Sequence, residues 1–218
     1  VIMLTILSGQ AQAALLSRAS GLAYYDTSTG LTWVKDARLS KTSGYDADGF
    51  LTWTQAQAWI ATLNAQNGGL GYLGTNAWRL PRAEDLSTPG CNFGYSGTDC
   101  GYNVNQSFSE LARLYHATLG NTGPYDTGGN EVGCSFPRVC DSFSPFVGTG
   151  TAWADITSSI FGNRAYFMFN EGAQHHVVAT TEALLAWAVT AGDVLPVNLA
   201  GDTDGDGVPD AIDNCRNQ

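Results

Sequence analysis

The acidic stretch near residue 210 carries the side chains best suited to bind a metal ion. Its carboxylates come from Asp202, Asp204, Asp206, Asp210 and Asp213. Their spacing matches positions 1, 3, 5, 9 and 12 of a twelve-residue calcium loop, with the Val208 carbonyl at position 7. Gly207 falls at position 6, where such a loop turns sharply. The pattern therefore predicts a Ca²⁺ site, and the alternative is a solvated acidic linker.

The chain has five cysteines, at Cys91, Cys100, Cys134, Cys140 and Cys215. The first four lie in sequence rich in Gly, Ser and Asn, which is typical of loops. We predict the local disulfides Cys91–Cys100 and Cys134–Cys140, among the three pairings that four cysteines allow. Cys215 is expected to pair with a cysteine downstream.

The six tryptophans could stack on sugar rings or pack in the core. Five of them follow strand or helix patterns that favour core packing: Trp33, Trp53, Trp59, Trp78 and Trp187. Trp153 lies in Gly/Thr-rich sequence, and its role stays open.

Common catalytic motifs are missing from the sequence. It contains no Gly-x-Ser-x-Gly, no His-Glu-x-x-His and no phosphate-binding loop. The adjacent His175 and His176 point to opposite faces if they lie on a strand, so they are not expected to share one metal. We therefore predict a protein without enzymatic activity, while a carboxylate pair in a cleft could still serve a hydrolase.

Composition narrows the classes of partner. The net charge is −10, from 10 basic and 20 acidic residues, and the basic residues form no cluster. This balance argues against a nucleic-acid partner. Hydrophobic residues make up 44% of the chain, which is enough for a folded core and excludes wholesale disorder.

The N-terminal segment is typical of the second half of a secretory signal peptide. An apolar run over residues 1–7 leads to Ala11-Gln12-Ala13, and we expect cleavage after Ala13. The alternative is a buried first strand or helix. Seven apolar residues are too few for a membrane span, which needs about 20.

Two helices are expected. Thr52 and Gln55 have the spacing of a capping box that opens the first helix. Ser107 and Glu110 repeat that spacing at the second, which Gly120 is expected to end. The apolar stripes are Trp53, Ala56, Trp59, Ile60 and Leu63 for the first, and Phe108, Leu111, Leu114, Tyr115 and Leu119 for the second.

Strands are expected on both sides of these helices. The runs 22–25 and 31–34 predict a hairpin, and the runs 165–169 and 176–179 predict another. Residues 184–189 predict a further strand. Two helices, several short antiparallel strands and long loops together indicate an α+β fold.

The order of several short segments resembles the Lcl C-terminal domain family, over roughly residues 20–195. These segments are 21–26, 30–33, 42–49, 52–53, 78–81, 110–115, 186–189 and 192–194. The resemblance implies a C-type-lectin-like fold related to the sulfatase-modifying factors, whose Arg-Leu-Pro-Thr-Glu stretch is similar to Arg79-Leu-Pro81 followed by Glu84. It also implies an exported bacterial module that adheres to surfaces or glycans, and it brings no catalytic motif.

The acidic stretch is similar to a thrombospondin type 3 repeat, because Pro209 and Cys215 do not fit a flanking helix. We thus expect a residual signal peptide at 1–13, an Lcl C-terminal-like domain at 14–196 and a truncated repeat at 197–218. Asp213 departs from the Glu that usually ends a calcium loop.

The expected function is noncatalytic binding at the cell surface, to a glycan or matrix component, with a calcium-stiffened spacer. The alternatives are a self-associating structural subunit of a surface layer or filament, and a secreted hydrolase. A glycan would contact the loops at 87–106 and 121–150, and the candidate residues are Tyr95, Asp99, Tyr102, Tyr125, Asp126 and Asn130.

Overall fold

The computed structural model describes residues 14–86, 99–132, 142–156, 164–177 and 182–194. Helices and sheets are mixed in these residues, so the fold is α+β, as expected. The strands are β1 Leu15–Arg18, β2 Ala23–Asp26, β3 Leu31–Val34, β4 Phe50–Leu51, β5 Arg82–Ala83, β6 Gly101–Tyr102, β7 Thr151–Ile156, β8 Arg164–Met168, β9 Ala173–Val177, β10 Leu184–Leu185 and β11 Val189–Ala191. The α-helices are α1 Leu39–Thr42, α2 Trp53–Gly69 and α3 Glu110–Arg113, and α3 continues as a π-helical turn, Leu114–Thr118.

One sheet has the strand order β1-β2-β3-β11, and its pairs are antiparallel. The predicted hairpin is its centre, formed by β2 and β3. The carboxylate of Asp26 is buried at the turn, where it accepts hydrogen bonds from the Ser28 N–H and hydroxyl. Its second oxygen accepts from the Thr118 hydroxyl at 2.6 Å. One buried carboxylate thus fixes the turn and joins it to the π-helical turn.

The other sheet has the order β4-β10-β7-β8-β9-β6, and β5 pairs with β7. The second predicted hairpin is confirmed by the antiparallel β8 and β9. The strand predicted over 184–189 divides in two, because β10 joins this sheet while β11 joins the first one. The connecting residues Ala186, Trp187 and Ala188 are buried, since the segment crosses between the sheets through the core.

The helix starts show one confirmed prediction and one correction. Thr52 and Gln55 form the capping box of α2. For α3, the predicted cap Ser107 is wrong: Ser109 is the cap, and its hydroxyl accepts the Ala112 N–H. The Ser107 hydroxyl instead donates to a nearby asparagine in a local turn. Glu110 is therefore the first residue of the helix and is available for a distant partner.

The core is rich in aromatic rings. Trp33, Trp59, Trp78 and Trp187 are buried as predicted, and Trp153 is buried as well. The indole N–H groups of Trp78, Trp153 and Trp187 donate to the backbone carbonyls of Tyr72, Leu51 and Val34, each at 2.7 Å. These bonds satisfy the polar end of each ring and allow complete burial.

Trp53 differs from the other tryptophans. It is only partly buried, at the edge of the core cluster under α2, and the Arg164 guanidinium lies 3.9 Å from its ring centroid. Its ring therefore forms a cation–π contact at the surface.

Several predictions fall outside the described residues. These are the signal segment 1–13, the calcium ligands in 197–218, Tyr95, Cys91, Cys134 and Cys140. Cys100 is buried and disulfide-bonded, with its partner outside the described ranges, so the predicted pairings stay predictions. In the part of the chain that is described, no helix is long and apolar enough to cross a bilayer.

We expect Trp187→Phe to lower the free energy of unfolding by about 2 kcal/mol, because it leaves the buried Val34 carbonyl unpaired and opens a void. Trp53→Phe is the matched control and should cost under about 1 kcal/mol. Urea unfolding followed by circular dichroism measures both. Equal losses for the two variants would contradict the assigned roles.

Candidate functional site

A groove of about 630 Å³, lined mainly by polar residues, lies where the segment 103–106, the π-helical turn and the loop 121–132 meet. Most of its lining residues carry amide, hydroxyl or ring groups, although more of the lining surface is apolar than polar. The lining residues are Asn103, Val104, Asn105, Gln106, His116, Asn121, Thr122, Tyr125, Asp126, Thr127 and Val132.

Asn103 holds the segment 103–106 against the loop 121–132. Asn103 has φ +49°, a left-handed conformation that asparagine tolerates, and its amide donates to the Tyr125 carbonyl at 3.0 Å. The rings of Tyr102 and Tyr125 meet edge to face with centroids 5.0 Å apart. The groove thus has a fixed aromatic end.

The base of the groove is tied to the core through Asn121, which is buried. Its amide donates to the Ser142 carbonyl, and its side-chain oxygen accepts the Ser142 N–H. The Asn121 carbonyl lies 3.0 Å from His116 Nδ1. These contacts leave little freedom to the loop where it leaves the helix.

Asp126 organises the outer loop. Its carboxylate accepts hydrogen bonds from the Asn130 amide side chain and from the N–H groups of Gly128 and Asn130. These donors, the Asn130 side chain first, hold the pKa of Asp126 below its usual range. The loop is therefore shaped by a carboxylate that is ionised at neutral pH.

The structure brings together four of the six residues predicted to contact a glycan. Tyr125 and Asp126 line the groove, while Tyr102 and Asn130 support them. Asp99 was wrongly expected at the surface: it is only 1% exposed, and its carboxylate accepts the Leu86 N–H.

Sequence reasoning missed the amide-rich wall and His116. The run Asn103 to Gln106 carries three carboxamides in four residues, which was the available signal. His116 gave no such signal. Its contact is the backbone carbonyl of Asn121, which lies beyond the end of the π-helical turn, and a backbone contact of this kind leaves no residue pattern in the sequence.

The chemistry of this groove suits a ligand that combines hydrogen-bonding groups with apolar surface. Carboxamides and hydroxyls both donate and accept hydrogen bonds, and tyrosine and histidine offer ring surface. Among the described residues, no group of three or more His, Cys, Asp or Glu side chains could hold a metal ion.

The segment 79–84 joins the two sheets and the start of α3. Arg79 exchanges two backbone hydrogen bonds with Val189 of the first sheet, and β5 pairs with β7 of the second. The Arg79 guanidinium makes two bonds of 2.7 and 2.8 Å to the Glu110 carboxylate, which also accepts the Arg82 N–H. A bidentate pair thus fixes the start of α3 against this segment.

We expect the loop formed by Asp126 to lose its order in acid. Because the folded pKa of Asp126 is depressed, its contribution to stability is present above the unfolded pKa of about 4 and is lost as pH falls through the folded value. NMR titration of the Gly128 and Asn130 amides should show a midpoint below about 4, and Asp126→Asn should abolish this titration. A midpoint at or above the ordinary value would contradict the assignment.

Comparison with known protein families gives a match. A family model described as the Lcl C-terminal domain matches residues 23–190, which is more than half of the chain. Neither the curated proteins nor the solved structures gave a match. The matched range includes both hairpins, the segment 79–84 and the groove. The chain belongs to the Lcl C-terminal domain family.

Proposed function

We propose that this chain is an exported bacterial module that binds a glycan or matrix component at the cell surface through the polar groove. The observation that carries the proposal is the set of amide, hydroxyl and aromatic groups in one groove of about 630 Å³. Sugars present many hydroxyl groups and apolar ring faces, so they need this combination of partners. The family resemblance adds a C-type-lectin-like fold to the proposal.

The groove is preorganised for binding. Hydrogen bonds within the protein hold Asn103, Asn121 and Asp126, so their positions need not be fixed again by a ligand. Gln106 and Thr127 are exposed at the rim. The ligand would then form hydrogen bonds with the side chains at the rim and stack an apolar face on the ring of Tyr125.

The rest of the proposal concerns export and spacing. Segment 1–13 would direct secretion, and the local disulfides would staple the long loops in an oxidising compartment. The stretch 197–218 would act as a thrombospondin-type spacer stiffened by Ca²⁺. Its ligands would be Asp202, Asp204, Asp206, Asp210 and Asp213 with the Val208 carbonyl.

We propose binding without catalysis. Glu84 and Glu110 line one cavity, which is the arrangement that a hydrolase would require. However, Glu110 accepts hydrogen bonds from Arg79 and from the Arg82 N–H. These contacts give the carboxylate a structural role and occupy both of its oxygens.

A structural subunit is the second candidate, and strand β1 is the observation that bears on it. Among the described strands, β1 pairs only with β2, and Leu16 on it is 40% exposed. An open strand edge can pair with another copy. Its length of four residues makes this a small contact, so we place it after ligand binding.

We expect Tyr125→Ala to weaken glycan binding about tenfold, because it removes the ring surface of the groove. A glycan array with the purified chain identifies the ligand, and calorimetry measures the variant. Tyr45→Ala is the matched control, since Tyr45 is exposed and does not line the groove. Equal effects of the two variants, or no binding to any glycan, would argue against this groove as a lectin site.

We expect calorimetry to detect Ca²⁺ binding by the full chain, and Asp204→Asn with Asp206→Asn to remove it, because two carboxylate ligands are lost. Asp46→Asn is the control, because Asp46 already accepts hydrogen bonds in its own turn. Glycan binding should persist in a chelator if the groove and the calcium stretch act separately. Calcium uptake that survives the double substitution would refute the ligand assignment.

A further inference from the structure

A second cavity lies beside the groove and shares only Gln106 with it. Its volume is about 340 Å³, and it is enclosed by the turn of the first hairpin, the segment 82–84 and the start of α3. The lining residues are Thr29, Leu31, Arg82, Ala83, Glu84, Gln106, Ser107, Phe108, Ser109, Glu110 and Arg113.

The floor of this cavity is apolar and its rim is charged. Leu31 and Ala83 are buried, and Phe108 is partly buried beside them. Arg82, Glu84 and Arg113 are exposed at the rim. Two of the ten basic residues of an acidic chain therefore line one small cavity.

The rim charges do not neutralise one another. Within the described residues, the ion pairs are Arg18–Asp193 and Arg79–Glu110, so neither rim arginine is paired with Glu84. Asp155 is within electrostatic reach of Arg82 but forms no ion pair with it among those residues.

The Arg113 side chain is also held in place before any ligand binds. One of its terminal nitrogens donates to the Ser28 carbonyl at 3.1 Å, which ties the guanidinium to the hairpin turn. The other N–H groups of a guanidinium can then bind a carboxylate in a forked geometry.

We infer that this cavity binds a small zwitterion, an α-amino acid with an apolar side chain. Its carboxylate would pair with Arg82 and Arg113, and its ammonium group would pair with Glu84. The side chain would cover Leu31, Ala83 and Phe108. A simple acid would leave Glu84 unpaired next to its negative charge, and a simple amine would face two arginines, so the zwitterion is the class that satisfies all three rim charges.

The test uses three probes on the full chain: L-leucine, isocaproate, which lacks the ammonium group, and isoamylamine, which lacks the carboxylate. Two-dimensional NMR should show saturable shifts of the Arg82, Glu84 and Arg113 amides with L-leucine. Each of the other two probes should bind about tenfold more weakly, because one charged contact is lost.

Variants assign the contacts. Glu84→Gln and Arg113→Gln should each weaken leucine binding about tenfold, whereas Lys41→Gln, which removes an exposed charge outside the cavity, should leave it unchanged. Arg113→Lys keeps the charge and should lose less than Arg113→Gln, which guards against a fold defect. The inference is overturned if leucine causes no saturable shift at these residues, if isocaproate binds as tightly, or if Lys41→Gln weakens binding equally.

Discussion

The attachment of segment 79–84 is the constraint on which the rest of the described fold depends. Arg79 pairs with Val189 in one sheet, and three residues later β5 pairs with β7 in the other. The side chain of Arg79 meanwhile reaches Glu110 at the start of α3. The two side chains are 23% and 22% exposed, so their charges are partly shielded from water and the bidentate geometry is worth more than at an open surface. One short segment therefore sets the positions of two sheets and a helix.

The aromatic core makes this arrangement rigid. Trp187 contacts the rings of Trp33, Phe146 and Phe169, with centroids between 5.1 and 5.4 Å apart. Core side chains also lie in close contact with the loops. A Cβ added to Gly172 in the β8–β9 turn would lie 2.6 Å from Tyr115 Cε1, so this turn can approach the ring only because the residue is glycine. Dense packing of this kind holds loops that have little secondary structure of their own.

The groove and the cavity follow from the way the loops are anchored. Charged residues are only 14% of the chain. The walls of the groove are accordingly held together by hydrogen bonds of carboxamide side chains and, among the described residues, not by ion pairs. Its walls are bound to each other and to the core by Asn103 and Asn121. The neighbouring cavity differs from the groove, because charged side chains that form no ion pair with one another lie at its rim. Two cavities of different chemistry thus lie side by side, and we propose a different class of ligand for each.

The sequence by itself determined the local features of this protein. The two hairpins, the capping box at Thr52 and the burial of most tryptophans follow from turn residues, spacing and alternation, which act within a few residues. It also indicated the family, since the order of short segments is a property of the sequence. The calcium loop and the disulfide pairings remain predictions of the same local kind.

Only the tertiary structure decided the features that join distant residues. Glu110 had the spacing of a capping partner for Ser107, yet it binds Arg79, which lies 31 positions away. Asp99 looked like a surface loop residue but is buried, and it accepts hydrogen bonds from the Leu86 N–H and from the Gln174 side chain. Trp153 stands in Gly/Thr-rich sequence, but its strand lies inside a sheet and its indole reaches the Leu51 carbonyl. Such contacts depend on which helices and strands meet in the folded chain. The local propensities of a sequence segment do not encode these long-range meetings.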